Sequence, residues 1–186
     1  SGDGSVIARS GVQARVDRIV TFDGNLDRAT TGQAVTLILS NHVDAARGDV
    51  FVHSDATPDI ADQFAADIVW LGEAPLLPGR TYTLRIGTQT VVATITALKH
   101  KTEVETGSKI AGRTLEANEI GFCNLATTLP VALDSYADNR ATGAFILIDR
   151  STAQTVGAGM VAFATRRSSK VKRPIFVGGK LARARR

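Results

Sequence analysis

At 186 residues and 19.7 kDa the chain is long enough for one medium domain or two small ones. Its 44% hydrophobic and 22% charged residues exclude a disordered tail, no apolar run approaches the roughly 18–20 residues of a membrane helix, and the single cysteine, Cys123, excludes an internal disulfide framework. The net charge of +4 is local: nine of the 22 Lys and Arg lie in residues 166–186, leaving 13 against 18 acids, a net −5, in residues 1–165.

In chain order, short strands are expected at residues 6–8 and 16–20, followed by a turn at Asp23-Gly24. Val35, Leu37 and Leu39 mark a further strand by their alternation. Residues 44–47 and 111–118 are the only stretches able to support a helical turn. The polar run Ser54-Asp55-Ala56-Thr57-Pro58-Asp59 reads as a linker between two β modules, the first of which has too few strands to close a barrel alone. Beyond it, residues 66–71 form a strand and Pro78-Gly79 a turn. In residues 81–86, Tyr82, Leu84 and Ile86 alternate with Thr81, Thr83 and Arg85, so one face is buried and the other solvated. With the β-branched residues of 90–98 this segment makes a hairpin. Strands at 120–126, 143–148 and 155–163 follow, with Phe145, Leu147 and Val161 as core residues. Gly157 and Gly159 allow a close backbone approach or a bulge. The pattern is all-β, with three regions: 1–57, 58–165 and a basic tail at 166–186, read as a solvated, mobile terminus.

Several strings are more specific. RIVTFDG (18–24), GQAVTLIL (32–39) and RGDVF (47–51) resemble the second domain of the GTPase subunit of ATP sulfurylase, sulfate adenylyltransferase subunit 1, a relative of elongation factor Tu. LEANEIGFCNL (115–125), YADNRATGAFILIDR (136–150) and TVGAGMV (155–161) resemble its third domain. The resemblance covers about residues 2–165. It implies a partial elongation-factor-type barrel followed by a closed one, with the GTPase domain and the first strands of the partial barrel expected upstream of Ser1. The basic tail departs from the family pattern.

The same resemblance implies noncatalytic barrels that support formation of adenylylsulfate and pyrophosphate from ATP and sulfate. Adenylyl transfer would occur on a separate catalytic subunit, and GTP and Mg would belong to the GTPase domain. The implied partners are that subunit and that domain, and the implied compartment is the cytoplasm. An alternative is a nucleic-acid or ribosome-associated barrel module, disfavoured by the acidic body. A third is part of a bifunctional sulfurylase–adenylylsulfate kinase.

Candidate chemistry is sparse. A phosphate-binding loop requires G-x-x-x-x-G-K-S/T, so that backbone amides wrap phosphate and a hydroxyl ligates magnesium. The nearest string, Gly178-Gly179-Lys180, has Pro174 in place of the first glycine and Leu181 in place of the hydroxyl. No Asn-Lys-x-Asp string for guanine is present. His42 and His53 have Asp44 and Asp55 nearby but lack metal-ligand spacing. His53-Ser54-Asp55 contains triad residue types without triad geometry. Cys123 alternates with Phe122 and reads as a buried thiol, while Lys99-His100-Lys101 reads as a solvated strand end. No catalytic, cofactor-binding or metal residues are assigned. Asp138, Asn139 and Arg140 form a polar turn, and Asn139, Arg140 and Thr142 are the interface candidates.

Overall fold

The structure is a computed structural model that describes residues 4–53 and 56–167. Among these residues, twelve strands and one short helix follow one another as β1 (Gly4–Ile7), β2 (Gln13–Thr21), β3 (Gly24–Leu26), β4 (Thr36–Leu39), β5 (Phe51–His53), β6 (Asp59–Trp70), β7 (Thr81–Ile86), β8 (Gln89–Thr102), β9 (Lys109–Ile110), β10 (Ile120–Leu133), α1 (Arg140–Gly143), β11 (Ala144–Ile148) and β12 (Thr155–Arg167). They form two sheets. The first runs β3-β2-β1-β5, with β4 also paired to β2; the second runs β10-β6-β12-β11-β7-β8-β9. Pairing of β10 with β8 as well as β6 closes six strands of the second sheet into an antiparallel barrel.

The barrel is filled by its inward positions. In β7, Tyr82, Leu84 and Ile86 are buried while Thr81 and Arg85 are exposed, as period-two alternation requires. Phe64 meets Phe145 edge to face at 5.7 Å, and Trp70 meets Tyr82 at 5.6 Å. Each such fully buried side chain contributes about 1.5–3 kcal/mol. Gly159 lies against this core: a Cβ there would overlap the Phe145 ring, and one at Gly157 would come within 3.3 Å of Trp70. The two glycines thus let β12 sit directly over large rings.

The first sheet stays open. The two buried apolar clusters among the described residues are the barrel core and a small one at the junction, where Ala8, Ile60 and Ala132 pack with Val50 and Val52. Ile19, Leu26, Ile38 and Leu39 are only half-buried, and Phe22 at the β2–β3 turn is fully exposed. Asn41 extends β2 without being a strand: its Nδ2 donates to Gln13 O at 2.7 Å and its Oδ1 accepts from Arg15 N at 3.1 Å. Gln89 makes the equivalent amide clasp on the barrel, with Nε2 donating to Ala132 O and Oε1 accepting from Ala132 N, both at 2.9 Å.

Several elements differ from the sequence-based expectation. Residues 44–47 and 111–118 contain no helix. Asp49 Oδ2 accepts from Ala46 N and Gly48 has φ 98°, which turns the first segment. The second crosses the barrel mouth, with Leu115 bridged to Leu76 and Asn118 N donating to Trp70 O at 2.7 Å. These tertiary hydrogen bonds replace the local ones a helix would need. The strands also run longer than expected. β6 begins at Asp59, inside the linker as read; β8 continues to Thr102; and β10 continues through a bulge between Ala126 and Val131. β12 reaches Arg167, two residues into the segment read as tail. The rest of the tail, including Gly178-Gly179-Lys180, lies outside the described residues, as do Ser54 and Asp55.

Candidate docking interface

The interface candidates share one turn, closed by a single carboxylate. Asn139 is extended (φ −146°) and caps α1, its Oδ1 accepting from Ala141 N at 3.1 Å. Asp134 Oδ2 accepts from Asn139 Nδ2 at 3.2 Å and from Thr142 Oγ1 at 2.5 Å. Ser135 Oγ donates to Asp138 Oδ2 at 2.9 Å. Gly143 is buried against Tyr136, whose Cα would lie 2.5 Å from any Cβ there, so only glycine fits. Asn139 and Thr142 are therefore engaged in holding the turn. Arg140 is exposed, its guanidinium 5.7 Å from the centre of the Tyr136 ring.

Tyr136, anchored by its N–H to Val161 O at 2.8 Å, joins this turn to a groove of about 410 Å³ on the outer barrel wall. Val69, Ile146, Ala158 and Met160 line the groove with Tyr136 and Arg85. Sequence reasoning missed these residues, although a signal was present: AFILI and GAGMV are apolar at both strand parities, so the outward face is apolar as well as the inward one.

A second cavity, of about 340 Å³, opens at the other barrel end between Trp70, Arg80, Tyr82 and the Asp149 turn. Asp149 Oδ1 accepts from Ser151 Oγ, Ser151 N and Thr152 N, and Arg80 approaches Oδ2 at 3.6 Å. Chiefly the Ser151 hydroxyl, then the two backbone N–H groups, hold the Asp149 carboxyl down at about 2. The Tyr82 hydroxyl is buried without a hydrogen-bond partner, and burial pushes its pKa up.

Cys123, His100, Lys101 and Glu119 are packed or paired within the barrel. Cys123 is fully buried, and burial, then Asp67, push its thiol up to about 12, far from a nucleophile. Lys99-His100-Lys101 lie in the last four residues of β8, at the strand end as expected, with Lys99 exposed and His100 and Lys101 half-buried. His100 stacks on Phe122 at 5.3 Å, and Lys101 pairs with Glu119 at 2.6 Å. That hydrogen bond, then the Glu116 N–H, holds the Glu119 carboxyl below its usual range. Among the described residues, no group of three or more His, Cys, Asp or Glu side chains is placed to hold a metal ion. No helix there is long and apolar enough to cross a membrane.

An antiparallel six-stranded barrel preceded by an open sheet is the architecture of an elongation-factor-type β-barrel unit. The family described as GTP-eEF1A C-terminal domain-like matches residues 63–162, and the chain belongs to it. The chain is 49% identical to "Bifunctional enzyme NodQ" of Rhizobium sp. over 91% of its own length and 27% of that protein's. It is 45% identical to "Sulfate adenylyltransferase subunit 1" of Shewanella woodyi, over 86% of the chain and 34% of the relative. It thus spans about a quarter to a third of these relatives. Among solved structures, sup35 complexed with GDP superposes with a TM-score of 0.78 at 21% identity, covering 88% of this chain and 40% of that one. That likeness shows the fold.

Proposed function

We propose that this chain supplies noncatalytic barrel domains to a GTP-dependent subunit of ATP sulfurylase, in the cytoplasm. The protein would support conversion of ATP and sulfate to adenylylsulfate and pyrophosphate. The observation that carries the reading is the match running through both sheets to sulfate adenylyltransferase subunit 1. In this reading GTP and Mg are handled by another domain, adenylyl transfer by a catalytic subunit, and the barrels are packing surfaces whose position follows nucleotide state. The bifunctional name carried by NodQ supports a second version, in which the same barrels sit in a polypeptide with a further, adenylylsulfate kinase activity.

Calorimetric titration of the chain with purified ATP sulfurylase catalytic subunit, alongside tRNA, tests the proposal. A saturable complex with the subunit, no micromolar magnesium-dependent affinity for fluorescent GTP and no salt-dependent tRNA binding are expected. Binding to tRNA without binding to the subunit would replace this reading with the nucleic-acid one.

A further inference from the structure

The outer wall of an antiparallel barrel is ordinarily solvated and polar. Here two cross-strand rows run over it. Ile146, Ala158, Val69 and Ile120 pair in succession across β11, β12, β6 and β10. Beside them run Ala144, Met160, Asp67 and Phe122. Neighbouring strands are about 4.8 Å apart, so the first row spans about 14 Å of wall. All eight residues are half-buried, and the groove deepens the wall where β11, β12 and Tyr136 meet.

Among the described residues, the charged side chains reaching this groove are arginines. Arg85 lines it from β7, and Arg140 lies over Tyr136 at its rim. Among the described residues, no carboxylate lines it. Of the nearby acids, Asp134 closes the turn, Asp138 is bonded to Ser135, and Asp67 lies in the second row beside Met160. Two guanidinium groups, of Arg85 and Arg140, flanking an apolar slot on a body whose residues 1–165 carry net −5, form a local field opposite to that of the rest of the body.

We propose that this groove seats an apolar, ring-sized side chain of a partner polypeptide whose flanking residues are carboxylates. The anchor buries apolar area against Val69, Ile146, Ala158 and Met160, and the carboxylates meet the planar donors of Arg85 and Arg140. Asn139 and Thr142 act on the groove only by holding the turn that places Tyr136 and Arg140. The inference stands on the groove itself and holds whether or not the sulfurylase reading does.

The test uses the full chain, isotope-labelled for NMR, and three small probes that share an aromatic ring: phenylacetate, benzyl alcohol and phenethylamine. Phenylacetate should shift the amides of Ile146, Ala158 and Met160 saturably, and bind about two- to fivefold more tightly than phenethylamine, the ratio expected of one exposed ion pair. Arg85→Glu, at an exposed strand position, should invert that order while leaving the rest of the spectrum unchanged. Equal affinities, a preference for the amine, shifts scattered away from the groove, or groove amides already covered by a second copy of the chain would each overturn the proposal. Failure of the sulfurylase reading would appear separately, as loss of catalytic-subunit binding with the phenylacetate response intact.

Discussion

Replacing Gln89 with leucine tests how the barrel end nearest the first sheet is held together. Gln89 is 7% exposed, and its amide makes both hydrogen bonds of the Ala132 peptide, at 2.9 Å each, across 43 residues of sequence. Leucine fills nearly the same volume but strands an N–H and a C=O on a residue that is 1% exposed. Each stranded group costs about 1–3 kcal/mol, and the added apolar burial returns about 1–2. The net expectation is a loss of about 2–4 kcal/mol, read by urea unfolding followed through Trp70, the only tryptophan and fully buried in the barrel.

Gln89→Glu separates hydrogen bonding from packing. A carboxylate can accept from Ala132 N–H but has no proton for Ala132 C=O, so the neutral acid is favoured in the fold and the folded pKa rises above the unfolded value of about 4.3. Native and unfolded states are both protonated below that value, where the variant should approach wild-type stability. The deficit should then grow as pH rises toward neutrality. A leucine variant within about 0.5 kcal/mol of wild type, or a glutamate variant with the wild-type pH profile, would show that the clasp is incidental.

Gly159→Ala should cost about 1–3 kcal/mol in the same urea assay, because the new Cβ displaces the Phe145 ring, and an unchanged midpoint would contradict the packing. Hydrogen exchange should be fast in β2, β3 and β4 and slow in β6, β10 and β12, since only the latter enclose a large buried cluster; uniform protection would mean the first sheet is stabilised by something other than burial. The Asp149 turn should contribute stability above the unfolded carboxyl value of about 3.9 and lose it as pH falls through about 2. The Ser151 and Thr152 amide shifts should report that midpoint and lose the transition in Asp149→Asn.

Much of the architecture is local and therefore legible. Tyr82, Leu84 and Ile86 announce a strand, and Gly87 with its positive φ announces the hairpin turn, because side-chain parity and backbone freedom belong to single residues. The buried roles of Phe145, Leu147, Val161 and Cys123 follow from the same alternation. The motif strings placed the chain among elongation-factor-type barrels, and composition confined the positive charge to the C-terminal end.

Other features depend on partners distant in sequence. Residues 111–118 have local helical capacity, yet hydrogen bonds to Trp70 and Leu76 draw them across the barrel mouth. Lys99-His100-Lys101 is legible as a strand end, but the stacking of His100 on Phe122 and the Lys101–Glu119 pair depend on residues brought alongside by pairing with β10. Asn139, Arg140 and Thr142 look alike as polar turn residues, but only the position of Asp134 decides that two are internally bonded and one faces outward. The groove is the clearest case. Val69 lies far in the chain from Ile146 and Met160, and only antiparallel register on neighbouring strands brings the three side by side. By itself the sequence determined which residues are strand-forming, buried or charged, since those are properties of a residue and its near neighbours. The tertiary structure alone decided which outward faces adjoin, because register between strands is set by closure of the whole barrel.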